Sequence, residues 1–559
     1  MVQQSEPAPP PKYVIKMALC ACVNSALLGY DTGVLSGALL YLRDDMNLDT
    51  QQIELLTSSM NFIAIPGCFA AGIIADAIGR TRTLFFASLT FLIGALLMAG
   101  ANDYGTLFLG RSLIGIGVGC GLAIDPLYIA EMSPPEWRGK LTSYSETAIN
   151  IGILSGYLSN VCFMWLPSEY NWRVMLAMGA VPPFIMMVLA TYVMPDTPRF
   201  YMSKGRTAEA EAVLKKIARS ESEAKAIKQD ILESIAEEKQ TSAKEGWRRV
   251  LCPDPILKRM LMVTLMISAL QQLCGVDVIL YYAPIIMESG GIRSRLAQLA
   301  LTAVAGLAKV GVLFITMHYL DHKSAGRRPL MLLSFGILAA STTMVAIGFG
   351  VNSLPVMVIG IIIFCGGFSV GAGPICWLMN SEVLPLSVRA RGMTLGCSIN
   401  RLSSAVLQTV FLSMAEGITN AGAFMVLTAF NVFGFVYLYY YMPETKGKSL
   451  EEMTAYFADI IGVSYDTQVG KNGARKGRSD SVEMKGIDGA VSPPDGISEA
   501  KQGGGERLSE LGNDSVIDAD RNDSVIGAAE IGDGGGRGSI DNLDTVDLNN
   551  ADNDKEGHV

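Results

Sequence analysis

The sequence predicts an all-α, polytopic membrane protein: twelve transmembrane helices in two six-helix bundles related by an internal pseudo-repeat. Three observations carry that prediction. Apolar residues make up 50% of the 559 and charged residues only 17%, whereas ordinary soluble chains run near ~25% charged. The mean hydropathy is +0.34, and the apolar residues gather into runs of about 20 or more, enough to cross a hydrocarbon layer of roughly 30 Å. Charged landmarks among the first six runs return among the last six. A soluble enzyme is excluded.

The expected spans lie near 13–42, 52–76, 83–101, 105–131, 141–162 and 172–194, then 259–287, 297–320, 329–350, 353–380, 392–415 and 420–442. Lipid cannot satisfy backbone polar groups, so each span must be helical; the runs are too long and continuous for barrel strands. The glycine-rich stretch Gly110 to Gly119 would be a weak helix in water. Within a membrane its small residues let helices approach, so it reads as a packing face rather than a nucleotide loop.

Around the bundles of 13–194 and 259–442 lie four further segments: an N-terminal segment 1–12, a linker 195–258, a post-membrane segment 443–463 and a tail 464–559. Ala/Glu/Lys-rich stretches from Thr207 and from Glu221 predict short amphipathic helices in the linker. The tail holds 20 Asp/Glu and 10 Lys/Arg, net −10, which leaves +1 for everything before it. Rich in Gly, Ser, Asn and Asp, and echoing Asn513-Asp-Ser-Val-Ile517 as Asn522-Asp-Ser-Val-Ile526, it cannot bury a core and is expected to be disordered.

Loop charges orient the chain. Arg80, Arg82, Arg138, Lys140, Lys323, Arg327, Arg328, Arg389 and Arg391 lie on one side, against Arg43, Arg173, Arg293 and Arg295 on the other. The richer side is expected to be cytoplasmic, and both termini with it. Gln3 to Pro11 is polar and proline-rich, so the first span is expected to target the chain itself. The ten cysteines lie mostly in apolar runs without paired spacing, and the three histidines are dispersed. No metal or other cofactor is expected.

The repeat is visible in independent landmarks. Gly29-Tyr-Asp31 returns as Gly275-Val-Asp277 at an offset of 246, and Asp76…Gly79-Arg80 as Asp321…Gly326-Arg327 at 245–247. Glu131 and Arg138 return as Glu382 and Arg389 at 251, and Pro195-Asp196-Thr197 as Pro443-Glu444-Thr445 at 248. A parallel repeat places a substrate site at the interface of the halves, near the midplane. Asp76, Arg80, Glu131, Arg138, Asp321, Arg327, Glu382 and Arg389 suit a cytoplasmic gate of ion pairs; a purely stapling role is the alternative. Asp321 and Gly326 stand farther apart than Asp76 and Gly79, so the second copy is expected to be looser.

With these motifs the chain resembles the sugar porter family of the major facilitator superfamily. The likeness spans roughly 14–455 and rests on Gly29-Tyr-Asp-Thr-Gly-Val-Leu-Ser-Gly37, Asp76-x-x-Gly79-Arg80, Pro126-x-Tyr128-x-x-Glu131 and Arg138-Gly139. In the remainder it rests on Pro195-Asp-Thr-Pro-Arg199, Gln271-Gln272-x-x-Gly275-x-Asp277, Gly373-Pro374-x-x-Trp377 and Pro443-Glu-Thr-Lys-Gly447. Each motif is weak; their joint order is specific. Glu146 and Asp277 stand where hexose porters usually carry Gln and Asn. With Asn400-Arg401 and Lys309 they resemble the polyol/monosaccharide–proton symporters of plants.

Ionisable residues inside spans cost about 2.5–3.5 kcal/mol each on insertion scales and mark function by default. Asp31, about 15 Å from the end of the first span, and Arg111, about 9 Å from the start of the fourth, lie at matching depth. Protonating Asp31 would release Arg111, and the resemblance makes this the proton-coupling pair; a permanent structural pair is the alternative. Gln271 and Gln272 offer donors and acceptors to hydroxyls, and Trp377 a flat apolar surface. The resemblance implies that these bind the sugar, with Asn400 as a further contact. Glu146 and Asp277 would accept dense hydroxyls, unless Asp277 is neutralised by Lys309 or Arg401. Asp125 has no assigned role.

The expected activity is proton-coupled symport of a polyol or monosaccharide by a monomer in a lipid bilayer, with no nucleic acid partner. The plasma membrane is the expected residence, and a vacuolar or other internal membrane the alternative. Two other readings are an uncoupled facilitator and a sugar sensor signalling through the tail. Deleting 464–559 separates the last: radiolabelled uptake should persist in the truncated chain, and its loss would favour the sensor.

Overall fold

The computed structural model describes residues 9–134, 137–240, 243–320, 326–448 and 450–461; these are helical with no strand. Asp321 and the 464–559 tail lie outside the described residues. The first half comprises α1 (Lys12–Met46), α2 (Thr50–Ile78), α3 (Arg80–Ala99), α4 (Tyr104–Met132), α5 (Arg138–Phe163), α6 (Ser168–Met178) and α7 (Val181–Tyr192). Four helices follow: α8 (Pro198–Ser203), α9 (Thr207–Ile217), α10 (Glu221–Gln240) and α11 (Ala243–Leu251). The second half comprises α12 (Pro255–Leu273), α13 (Val276–Ser289), α14 (Arg295–Leu320), α15 (Arg327–Gly350), α16 (Leu354–Val370), α17 (Ala372–Val383), α18 (Leu386–Ile418) and α19 (Asn420–Tyr441). Helix α20 (Leu450–Ile461) closes the described chain.

Joined end to end, the pairs α6/α7, α12/α13 and α16/α17 each make one membrane-length rod. Among the described residues, ten rods are long and apolar enough to cross a bilayer. Helices α5 and α18 have the length but carry Glu146 and Arg401 within it and basic residues at their starts. The outer surface is apolar: Leu109, Phe184 and Phe314 are 55%, 59% and 55% exposed. In water such a surface would aggregate; in lipid it is solvated. This is an integral, multi-pass membrane protein.

Small residues bring the rods together. The Gly110–Gly119 stretch packs α4 on α2 and α3, since a Cβ at Gly119 would lie 2.2 Å from the Ala64 carbonyl and one at Gly117 2.6 Å from that of Ala87. Helix α1 packs as closely on α5, where a Cβ at Gly29 would come within 1.9 Å of the Ile149 carbonyl.

Three rods are broken near their middle, α6/α7 at Gly179 and the other two in the second half. The α12/α13 break lies at Gly275, with φ +97°, and the α16/α17 break at Gly371. Side chains satisfy the freed backbone. Asn431 donates to the Cys274 carbonyl (3.2 Å), and Gln271 to those of Ala372 (2.9 Å) and Gly373 (3.0 Å). Ser334 accepts from the Ala372 N–H (3.0 Å) and donates to the Gly367 carbonyl (2.7 Å). Irregular backbone at membrane depth persists only when buried and bonded in this way.

The internal repeat is repeated in three dimensions. Asp196 caps the start of α3, accepting from the N–H groups of Arg80 (2.6 Å) and Thr81 (3.0 Å). Its counterpart Glu444 caps α15 through Arg327 (3.0 Å) and Arg328 (3.1 Å). The following threonines agree as well: Thr197 donates to Glu131 (2.6 Å) and Thr445 to Glu382 (2.5 Å). Neither cap leaves room for a side chain beneath it, as a Cβ would lie 2.2 Å from Asp196 at Gly79 and 2.3 Å from Glu444 at Gly326.

At the end where α1 gives way to α2 the halves are bound to each other. Arg43 pairs with Glu288 (3.0 Å), Arg295 with Asp44 (2.8 Å), and Thr50 donates to Glu416 (2.5 Å). One turn deeper, Glu54 accepts from the N–H (2.8 Å) and hydroxyl (2.5 Å) of Ser413. Deeper still, Tyr282 meets the Thr57 hydroxyl at 2.5 Å and Tyr157 donates to the Leu280 carbonyl at 2.9 Å. This mouth is closed.

Removing either cap should loosen its own half. Asp196→Ala and Glu444→Ala are each expected to cost about 0.5–2 kcal/mol, read as a lowered thermal unfolding midpoint of the purified protein, while Gly79→Val should lower it further.

Candidate functional site

Two buried clusters occupy the middle of the bundle. In the first, Arg111 of α4 and Asp31 of α1 form a direct ion pair, the arginine 0% and the aspartate 5% exposed. The second nitrogen of the guanidinium donates to the hydroxyl of Tyr281 on α13 (3.0 Å), which also meets the Thr32 hydroxyl (3.2 Å). An ion pair belonging to one half is thereby tied to a helix of the other. Desolvating both charges is costly unless each finds its full complement of partners.

Tyr281 stands one helical turn beyond Asp277, so the two share a face of α13. Asp277 accepts from Ser404 and, at 3.5 Å, from Gln408, both on α18. Among the described residues it has no ion-pair partner within 4 Å, so the alternative of neutralisation by Lys309 or Arg401 takes no direct form. Hydroxyl and amide dipoles solvate it instead. Arg401 donates to its neighbour Asn400 (2.6 Å) and across the interface to Asn61 of α2 (3.2 Å). Asn61 in turn donates to Ser404 (3.1 Å).

The expected sugar-binding residues converge here. Asn400 donates to Gln271 (2.6 Å) and to the Ser268 carbonyl (2.9 Å). Gln272, with its amide nitrogen facing Asp277 (3.1 Å), accepts from Arg401 at 2.8 Å. Glu146 approaches from α5 of the other half, where its Oε1 would stand 3.3 Å from a Cβ on Gly373. Half-buried Trp377 lies one turn beyond Gly373, on the same face of α17. Lys309 of α14 rests on the Phe368 ring (5.0 Å to its centroid), and that ring borders Gly373. Gln271 departs from the simple expectation: its amide nitrogen is engaged by the carbonyls of the α16/α17 break.

The landmarks at the end where α1 begins form two clusters, one in each half. Arg80 holds Glu131 with both ends of its guanidinium (3.0 Å each) and Asp76 at 3.0 Å. Arg327 holds Glu382 at 3.3 Å. Arg138 and Arg389 donate to the carbonyls of Ala130 (3.0 Å) and Leu384 (3.2 Å). All of these contacts lie within one half, because each acid is drawn to the helix start beside it. Among the described residues, the ion pairs that cross between halves are those of the opposite mouth.

The family model described as "Sugar (and other) transporter" matches residues 17–457. The chain belongs to this family. An Arabidopsis thaliana relative named as a probable polyol transporter is 37% identical over 454 residues, covering 80% of this chain and 85% of the relative. A galactose-proton symporter of Escherichia coli is 32% identical over 438 residues, covering 78% and 92%. Among solved structures, a major facilitator proton:xylose symporter, XylE, bound to 6-bromo-6-deoxy-D-glucose matches with a TM-score of 0.69 at 25% identity, over 80% of this chain and 99% of that one. A partially occluded inward-open XylE from E. coli matches in fold with a TM-score of 0.67 at 24% identity, over 78% and 100%. The sugar transporter has the major facilitator fold, and its family is one of transporters, not enzymes.

Sequence reasoning about this sugar transporter missed Tyr281, Asn61 and Ser404. Tyr281 carried a usable signal, the one-turn spacing from Asp277. Asn61 and Ser404 carried none, since a single polar residue in an apolar run says nothing of its partner.

Arg111→Met should strand the Asp31 carboxylate and cost about 3–5 kcal/mol. Adding Asp31→Asn to that variant should restore part of the loss, and thermal unfolding of the two purified variants measures both effects.

Proposed function

We propose that the chain carries a polyol or monosaccharide together with a proton by alternating access, working as a monomer in the plasma membrane with both termini cytoplasmic. The observation that carries the reading is the Asp31–Arg111 pair and its hydrogen bond to Tyr281 of the opposite half.

With Asp31 ionised, Arg111 has its counter-charge and the pair is neutral as a whole. A proton on Asp31 removes that counter-charge and leaves a buried guanidinium to be compensated elsewhere. Tyr281 is already its second partner, so the change is felt at the joint between halves. That gives protonation a differential effect on two packings of the same bundles. The driving force is about 2.3 kcal/mol per charge per 100 mV, plus any pH difference.

For substrate we propose Gln271, Gln272, Asp277, Asn400, Trp377 and Glu146 as the binding set. Their polar groups now bond largely to one another, with Arg401, Ser404 and Asn61 completing the network. A ligand dense in hydroxyls can take over such bonds without leaving any group unsatisfied, and Trp377 can cover its C–H face. The names of the similar proteins, a polyol transporter and galactose and xylose proton symporters, support this substrate class. We assign the closed mouth to the outside, so that the conformation described is inward-facing. The gate at Asp76, Arg80, Glu131, Arg138, Asp321, Arg327, Glu382 and Arg389 then acts through the rigidity of each half.

In proteoliposomes with an acidic exterior, Asp31→Asn is expected to abolish uphill accumulation of labelled substrate while sparing exchange at equal concentrations. Uphill uptake surviving that change would leave a facilitator, with Asp31 purely structural.

A further inference from the structure

A second carboxyl is buried in the first half and is used by nothing described so far. Asp125 of α4 is 1% exposed. One carboxyl oxygen is bonded by the hydroxyl of Ser25 on α1. The other, Oδ1, has no hydrogen-bond partner, and the Ser145 hydroxyl adjoining it from α5 is unsatisfied too. The titratable group facing the site from α1 is the thiol of Cys22. From α5 comes only the Ser145 hydroxyl, and among the described residues no Lys, Arg or His of any helix stands within 4 Å. The contrast with Asp31 is complete: the same residue type at comparable burial, one with an arginine and one without a cation.

An unpaired carboxylate in an apolar bundle is far costlier than a neutral carboxylic acid, which needs only the hydrogen bonds that hydroxyls provide. Ser25 supplies one such bond, and the unsatisfied Ser145 hydroxyl beside the carboxyl is free to take a second. Ser25 also precedes Asp31 by six residues on α1, which places the second carboxyl about 9 Å nearer the end where α1 begins. In this conformation Asp31 has its arginine as counter-charge, and the site beyond it is built to keep a proton.

We propose that Asp125 is a second proton-binding site of the transporter, lying between the Asp31–Arg111 pair and the end where α1 begins, and protonated while the opposite mouth is closed. The reaction is the binding of H⁺ to a carboxylate oxygen, with nothing else made or broken. Its surroundings come from α1, α4 and α5, all of one half, so the site travels with that half. A role in transport rests on the proton-coupled reading above; the presence of the bound proton does not.

Infrared difference spectroscopy of the full chain in lipid nanodiscs, titrated with acid and base, tests it. The wild type should show the carbonyl-stretch band of a protonated carboxylic acid at neutral pH, moving in D₂O. Asp125→Asn should lose that band, Asp31→Asn should keep it, and Ser25→Ala should shift it by removing its hydrogen bond. If Asp125→Asn folds poorly, the Ser25→Ala shift alone decides. A spectrum unchanged in Asp125→Asn, or in Ser25→Ala when that variant decides, overturns the proposal. A lost band together with uphill uptake persisting in Asp31→Asn would instead refute the coupling reading and leave the site standing.

Discussion

One buried ion pair, Arg111 with Asp31, sets the terms for the centre of this protein. Arg111 is fully enclosed, and an arginine cannot shed its charge. The surrounding apolar bundle is therefore stable only while a counter-charge and hydrogen-bond acceptors face that guanidinium. Asp31 supplies the charge and Tyr281 a second acceptor. Since those partners come from opposite halves, whatever alters the charge of one alters the joint between both.

The rest of the structure makes such a joint usable. Each half is rigid for its own reasons: glycine faces without room for a side chain, and a carboxylate cap under α3 and α15 held by the Arg80 and Arg327 clusters. Rigid halves move as bodies, so a local change at their interface becomes a change of access rather than local softening. The cross-half contacts then divide by chemistry. The closed mouth is held by ion pairs and short hydrogen bonds around Glu288, Asp44 and Glu54, whereas the midplane is held by amides and hydroxyls around Asn61, Ser404 and Asp277. Groups of the second kind exchange partners with a hydroxylated ligand at little cost.

Duplication has been used unequally. The caps engage equivalent backbone N–H groups in both halves, yet the paired motif aspartates differ: Asp31 faces an arginine and Asp277 faces serine and glutamine. The scaffold keeps its symmetry where geometry alone matters and loses it where charge is employed. Asp125 adds a third environment, a carboxyl among hydroxyls.

Much was legible before any coordinates. Membrane spans follow from length and hydropathy because a hydrocarbon slab imposes a fixed thickness on every helix, and the repeat follows from landmarks at a common offset. Depth along a span also follows from a fixed rise per residue, which is why Asp31 and Arg111 could be matched. What depth cannot give is azimuth. Only the folded bundle decided that Asp277 meets Ser404 rather than Lys309, that Gln271 is drawn to the carbonyls of a broken helix, and that Glu131 and Glu382 meet arginines of their own halves. A helix can turn about its axis without changing its composition, so the partner of a buried polar group is settled by packing against the other helices.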